Sequence, residues 1–299
     1  MDKEIKASIL VQVVAYKSLK ELTECLDCLL ADPVTDIDLD ISILDNSSEI
    51  DITSDLRERF PTVTFATSDK NLGFGKAHNR IFQNSHDKQY DHILILNPDS
   101  RISSKDISAL VSIAQETGAG VVAPSLYNDN EDEASVIYMI PGLLLPFYVI
   151  LSKLGLIDKR YGQTIFKNRA EVEAVSGACM LIKADLFRDL KGFDEDFFMY
   201  YEDHDLCRRI RSTGMKILIE PSIRAFHHIG TASKDHQDQK AWLWLQAIYS
   251  QALFYYKHDN ILGASVAKLV TLGLLFVGRN RISPEQYKET ASKLRSLKR

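Results

Sequence analysis

The stretch FFMYYEDHDLCRRI, residues 197–210, sets Glu202, Asp203, His204 and Asp205 directly after five aromatic or sulfur-bearing side chains. One acid at the start of a helix would complement the helix dipole. Three acids beside Phe197, Phe198, Met199, Tyr200 and Tyr201 exceed what capping needs. Aromatic surroundings desolvate a carboxylate, neighbouring acids repel its charge, and both effects raise its pKa. A raised pKa makes a better general base at neutral pH. The cluster therefore reads as catalytic.

Three further segments carry ligand chemistry. LNPDS, 96–100, places Asn97 and Asp99 in a tight turn after an apolar run. Such an Asp can cap the turn, or hold Mg2+ or Mn2+ against a diphosphate, since these metals take few protein ligands and complete their shell with phosphate and water. AFHHIGTAS, 225–233, offers two adjacent imidazoles in a Gly/Ser loop, structural groups or metal ligands. NLGFGKAHN, 71–79, has G-x-G without a third glycine, a weak dinucleotide signal. Its glycines either permit a tight turn or let the backbone approach a phosphate at a helix N-terminus.

Positioning these residues falls to alternating elements. Strand patterns run over 8–16, 38–46, 63–68, 92–100 and 120–127, with helical periodicity over 19–31, 52–60, 76–85 and 104–118. This alternation predicts an α/β fold: a Rossmann-like, mostly parallel sheet with helices on both faces. Ligands bind such sheets beyond the carboxyl ends of the strands, where Asp45, Asn46, Asn97 and Asp99 all fall. Strand character resumes at 178–187 and 216–221, with a short helix, LCRRIRSTG, between them. A helical extension follows from about Gln237. The expected division is a catalytic domain over 1–235 and a C-terminal helical region over 236–299.

The 299 residues carry a net charge of −5, which gives no reason to expect a nucleic-acid partner. From Arg279 onward seven Lys/Arg stand against two Glu, a basic tail that suits an anionic membrane surface or is simply solvated. The apolar segments 139–157 and 261–278 read as packed or interfacial rather than spanning, the first because it holds two prolines and two glycines. Cys25 and Cys28 share one helical face and read as buried thiols, with a redox pair as the other reading; four cysteines make no disulfide framework at this length. The polar N-terminus is no signal peptide, so a cytoplasmic location is expected.

The ordered set DNSS, NLGFGKAHN, LNPDS, SGACMLI, GFDEDFFMYYEDHDLCRRI and HHIGTAS resembles glycosyltransferase family two across roughly residues 7 to 235, nearest its bacterial rhamnosyltransferase-like branch. The resemblance implies the GT-A fold, a nucleotide-diphosphate-sugar donor (dTDP- or UDP-linked), a divalent cation, Mg2+ or Mn2+, and inversion at the anomeric carbon. It implies that Asp45 reads the base and that Asn46, Asn71, Gly73, Asn79, Asn97 and Asp99 line the donor site. Asp99 and His227 become the metal ligands, although Asn97 stands where the DxD-like motif has its first acid. The resemblance also implies that the catalytic base lies in YEDHDL, with Asp203 favoured, Glu202 second, and Asp205 orienting its neighbours or the acceptor. Ser176, Gly177, Ala178 and Tyr201 fall on the acceptor side. The implied acceptor is a glycan or polyprenyl-diphosphate-linked glycan of the cell surface, reached by a peripheral enzyme at the inner face of the membrane. A homo-oligomer is left open. A nucleotidyltransferase would need a Gly-rich basic loop after the first strand, where only Lys17 and Lys20 appear; a non-catalytic relative would be expected to lose Asp99 and Asp203.

Overall fold

The computed structural model describes residues 6–47, 51, 53–85, 87–128, 165–228, 237–259 and 261–297. The apolar 139–157 segment and the Gly/Ser loop after His228 lie outside them. Strands β1 (Ala7–Ala15), β2 (Ile37–Asp45), β3 (Thr64–Thr67) and β4 (His92–Leu96) pair in parallel in the order β3-β2-β1-β4. Helices α1 (Leu19–Leu30), α2 (Ser54–Arg59) and α3 (Gly75–Asn84) follow the first three strands in turn. The sheet continues through β8 (Cys179–Lys183), β6 (Val121–Tyr127), β9 (Ile217–His227) and β5 (Ser100–Arg101), and β7 (Ala170–Glu171) also pairs with β9. Its second half is mixed: β8 runs antiparallel to both β4 and β6, whereas β6 and β9 are parallel.

Strand side chains alternate between two cores, as a period of two requires. Ile9, Val11, Val13, Leu94 and Leu96 pack with Leu22 and Leu26 of α1 and with Ile107 and Leu110 of α4 (Ser104–Thr117). Leu10, Ile93 and Ile95 face the other way. They pack with Phe187 of α5 (Ala184–Asp189) and with Leu206 and Ile210 of α6 (Glu202–Ser212). Each such fully buried side chain contributes about 2 kcal/mol.

Three elements differ from their sequence reading. The strand expected to continue to 187 turns into α5 after Lys183, because Ala184 and Phe187 are the buried positions, a helical spacing. Helix α6 begins at Glu202, not Leu206, so the acids occupy its first turn. Strand β9 runs on past Pro221 to His227. The β6–β9 register jumps from Glu220 opposite Pro124 to Arg224 opposite Ser125, so Pro221 sits in an irregularity where its missing N–H breaks no ladder. Beyond that bulge His227 ends β9, opposite Ser100 of β5.

Beyond the sheet lie α7 (Gln237–His258), α8 (Ile261–Val277), a 3-10 turn (Gly278–Arg281) and α9 (Pro284–Ser296). Leu245, Ile248, Leu275 and Leu294 form their shared core. Helix α9 opens with a capping box, Ser283 and Gln286 exchanging side-chain and backbone bonds.

Candidate active site

Asp99 and His227 meet where β4 and β9 end. Asp99 Oδ1 lies 3.4 Å from His227 Nε2, and Asn97 Nδ2 is also 3.4 Å from that nitrogen. Both ring and carboxylate keep partial exposure, 18% and 16%. Atoms each about 2.1 Å from one small divalent cation can be at most about 4.2 Å apart, so the pair fits such an ion. Among the described residues no group of three His, Cys, Asp or Glu is placed to hold a metal. Among the described residues the pair therefore leaves most of such an ion's coordination positions open.

The same turn reaches the acidic cluster through backbone. Asn97 N–H donates to Ala178 O at 2.9 Å, and Ser100 Oγ donates to the same oxygen at 3.1 Å. Next to Ala178, Gly177 N–H donates to Asp203 Oδ2 at 3.2 Å. Asn97, Ala178 and Gly177 therefore join the Asp99–His227 pair to Asp203. Ser176 Oγ accepts from Ala178 N–H, bracing that loop.

Asp203 and Glu202 have opposite environments. Burial would raise Asp203, but the His204 ring and the N–H groups of Gly177 and His204 outweigh it and hold its carboxyl below the ordinary range. Glu202, 7% exposed, is pushed well above the ordinary range, by burial first and then by the Asp203 charge. Its Oε2 finds no partner among the described residues. The raised pKa expected of the cluster thus belongs to Glu202 and not to Asp203.

Asp205 is not placed to touch a substrate. It is 1% exposed, with Oδ2 paired to Arg209 at 2.7 Å and Oδ1 to His258 Nε2 at 2.6 Å. It anchors α6 to the last turn of α7. Tyr201 likewise accepts from Gln251 Nε2 at 2.8 Å and packs on Phe254, so its hydroxyl faces α7. Tyr200 and Tyr201 both have positive φ, 68° and 67°, strained for non-glycine residues. Helix α7 supports the strained loop: Ser250 Oγ donates to Met199 O, Lys257 pairs with Asp194 and Asp196, and Trp242 stands edge-on to Phe198.

On the donor side, Asp45 ends β2, two strands and roughly 10 Å from β4. It borders a cleft of about 670 Å³ lined also by Asp51, Ser68, Asp69 and Arg80, a size that holds a small-molecule ligand. Asn46 and Asn71 are committed to the loop itself: Asn46 accepts from Leu72 N–H and donates to Asn71 Oδ1, which accepts from Gly73 N–H. Gly73 has φ +79°, and a Cβ there would lie 2.2 Å from Phe198 O. Both the turn and the close approach require glycine. Asn79 bonds both backbone groups of Phe193, locking α3 to the loop before α6. These three polar residues build the site's wall and do not line its cleft.

Sequence reasoning missed Asp69, although it follows β3 and the strand-end rule that found Asp45 applies to it. It also missed Gln251, Lys257 and His258, about fifty residues or more from their partners, with no local signal. The cysteines are free, and burial raises the Cys25, Cys179 and Cys207 thiols, the last to about 12.

Solved structures of the same fold include residues 1–349 of S. aureus TarS: TM-score 0.57, 14% identity, covering 98% of this chain and 81% of that one. A second is a mannosyltransferase from Pyrobaculum calidifontis in complex with GDP-Man and Mn2+: TM-score 0.55, 15% identity, covering 98% and 85%. Among curated relatives, a low-salt glycan biosynthesis hexosyltransferase of Haloferax volcanii is 29% identical over 58% of this chain and 54% of its own length. An N-acetylglucosaminyl-diphospho-decaprenol L-rhamnosyltransferase of Mycobacterium tuberculosis is 26% identical over 65% and 68%. The match thus spans about half to two thirds of these relatives. The model of the family described as Glycosyltransferase like family 2 matches residues 7–242, which takes in Asp45, Asp99, Glu202, Asp203 and His227, and the chain belongs to that family.

Proposed function

We propose that the chain is an inverting glycosyltransferase, moving a hexose or deoxyhexose from a nucleoside-diphosphate sugar to a hydroxyl of a glycan or polyprenyl-diphosphate-linked acceptor in cell-surface polysaccharide synthesis. One observation carries this reading: the bonded path from His227 and Asp99 through Ala178 and Gly177 to Asp203. It supports a reading in which the Asp99–His227 pair and the Asp203 carboxylate serve one site.

Asp45 and the cleft beside it receive the nucleoside, and the roughly 10 Å to β4 leaves its diphosphate near Asp99. Asp99 and His227, with Asn97 beside them, are the residues that would hold Mg2+ or Mn2+, which supplies positive charge opposite the departing diphosphate. Asp203 accepts the proton of the acceptor hydroxyl as that oxygen attacks the anomeric carbon from the face opposite the diphosphate. The C–O bond to acceptor forms, the C–O bond to diphosphate breaks, and no covalent enzyme intermediate is needed.

The acceptor reading is supported by α8. Leu262, Leu269 and Phe276 recur every seven residues and are 71%, 68% and 55% exposed, with Val277 at 80%. Leu262–Arg281 is long and apolar enough to cross a membrane by length and composition. Arg279 and Arg281 follow this ridge, a combination suited to a lipid surface carrying anionic headgroups. The enzyme is proposed to lie on the inner face of the membrane through this ridge. Wild type should float with anionic liposomes, and Leu269→Asp/Phe276→Asp should stay in the soluble fraction; equal recovery of both would remove the membrane reading.

A melt against dTDP-, UDP- and GDP-sugars with Mn2+ or Mg2+ tests the donor class, because a bound donor stabilises by mass action. One nucleotide sugar should raise Tm only with the cation present. Stabilisation by a nucleoside triphosphate, with pyrophosphate release, would instead identify a nucleotidyltransferase.

A further inference from the structure

We propose that His204 is the positioning residue of the general base, holding the Asp203 carboxylate in one orientation and keeping it ready to accept a proton. The proposal rests on Asp203 being that base.

The geometry is specific to this pair. Asp203 Oδ1 accepts twice from His204, from its backbone N–H at 2.8 Å and from its ring Nδ1 at 2.8 Å. Asp203 Oδ2 accepts from Gly177 N–H at 3.2 Å. Nδ1 must carry a proton for the ring contact to be a hydrogen bond. The two oxygens are thus pinned from opposite sides, which fixes the carboxylate plane and leaves its remaining lone pairs for an incoming hydroxyl. The ring itself is held against Tyr201, centroids 5.5 Å apart, and Tyr201 is held in turn by Gln251 and Phe254 of α7. His204 Nε2 is buried and has no partner among the described residues. Nothing but the Asp203 contact and this stacking accounts for an imidazole here, because an apolar side chain would fill the same space without burying a nitrogen.

Other charged and titratable groups face the pair from α6, the residue before it, and α7. Glu202 and Cys207 flank Asp203 on α6, Tyr201 precedes it, and His258 reaches Asp205 from α7. Only the His204 ring donates a side-chain hydrogen bond to Asp203 among the described residues. Removing that donor leaves burial as the largest influence on the carboxyl, so its pKa should rise.

Two variants separate donation from packing. His204→Phe keeps a ring without a donor, and His204→Asn keeps a donor without the ring. With nucleotide sugar, divalent cation and acceptor at saturation, we expect Phe to lower kcat at about pH 6 by about tenfold and to move the acid limb of the kcat–pH profile upward. Donor KM should stay within about twofold. His204→Asn should keep both kcat and limb near wild type. A Phe variant with an unmoved limb, or an Asn variant shifted as far as Phe, would overturn the proposal. Asp203→Asn runs alongside: if it retains turnover, the base assignment itself is wrong; if it is inactive while His204→Phe behaves as wild type, only the role of His204 falls.

Discussion

Adjacent carboxylates on one helical turn have their proton affinities shifted in opposite directions by what surrounds them. Among the described residues Glu202 is buried without a donor for Oε2, and Asp203 is buried with three N–H donors. A carboxyl raised in the native state binds its proton more tightly there than in the unfolded chain. Glu202 therefore adds stability below the ordinary glutamate range and loses that contribution as pH rises through its raised value. Glu202→Gln keeps the neutral shape, so its Tm relative to wild type should climb as pH rises above the ordinary glutamate range. A constant difference would mean Glu202 is not protonated in the native state. Asp203 behaves oppositely: its stabilisation is present above the ordinary aspartate range and is lost as pH falls through its lowered value. Asp99→Ala should weaken donor binding in the presence of Mn2+ by about tenfold or more and barely change it in EDTA. A calorimetric titration with and without the cation measures this directly.

The elements that carry these residues are tied together by backbone contacts more than by charges. The loop of 71–75 lies against the loop of 193–201: Phe74 N–H donates to Phe198 O, and Asn79 fastens Phe193. Gly73→Ala combines a left-handed φ with a 2.2 Å clash against Phe198 O and should cost about 2 kcal/mol or more in a denaturant melt. It should also lower kcat, because Phe198 lies just before the strained tyrosines. The first six elements of the sheet half were legible because hydrophobic alternation and strand-end polar residues are local signals, and Asp45, Asp99 and His227 all stand at strand ends. The antiparallel insertion of β8 between β4 and β6 was not legible, since Cys179–Lys183 is a short apolar run that carries no mark of direction. Asn79 and Tyr201 were expected to line the donor and acceptor sites because polar residues in a motif look alike in sequence whether they face a cleft or a neighbouring loop. Only their partners, all distant along the chain, distinguish the two.

At the scale of the whole molecule, the C-terminal helices are packed and bonded against the loop that leads into α6. Phe197 shares a cluster with Leu253 and Phe254, and α7 reaches Met199, Tyr201, Asp194, Asp196 and Asp205 with side-chain bonds. His258→Ala leaves the buried Asp205 without one of its two partners. Breaking a buried pair costs about 3 kcal/mol, and the variant should lose both stability and kcat while donor affinity holds, as chemical denaturation and donor titration would read. The account as a whole turns on Asp203 as the base beside a donor site. Its most direct test is nucleoside-diphosphate release from the stabilising nucleotide sugar by wild type and Asp203→Asn, side by side with donor Kd. We predict release by wild type only in the presence of Mg2+ or Mn2+ and acceptor, and none above background from Asp203→Asn at an unchanged Kd. Turnover by Asp203→Asn near the wild-type rate would contradict the account.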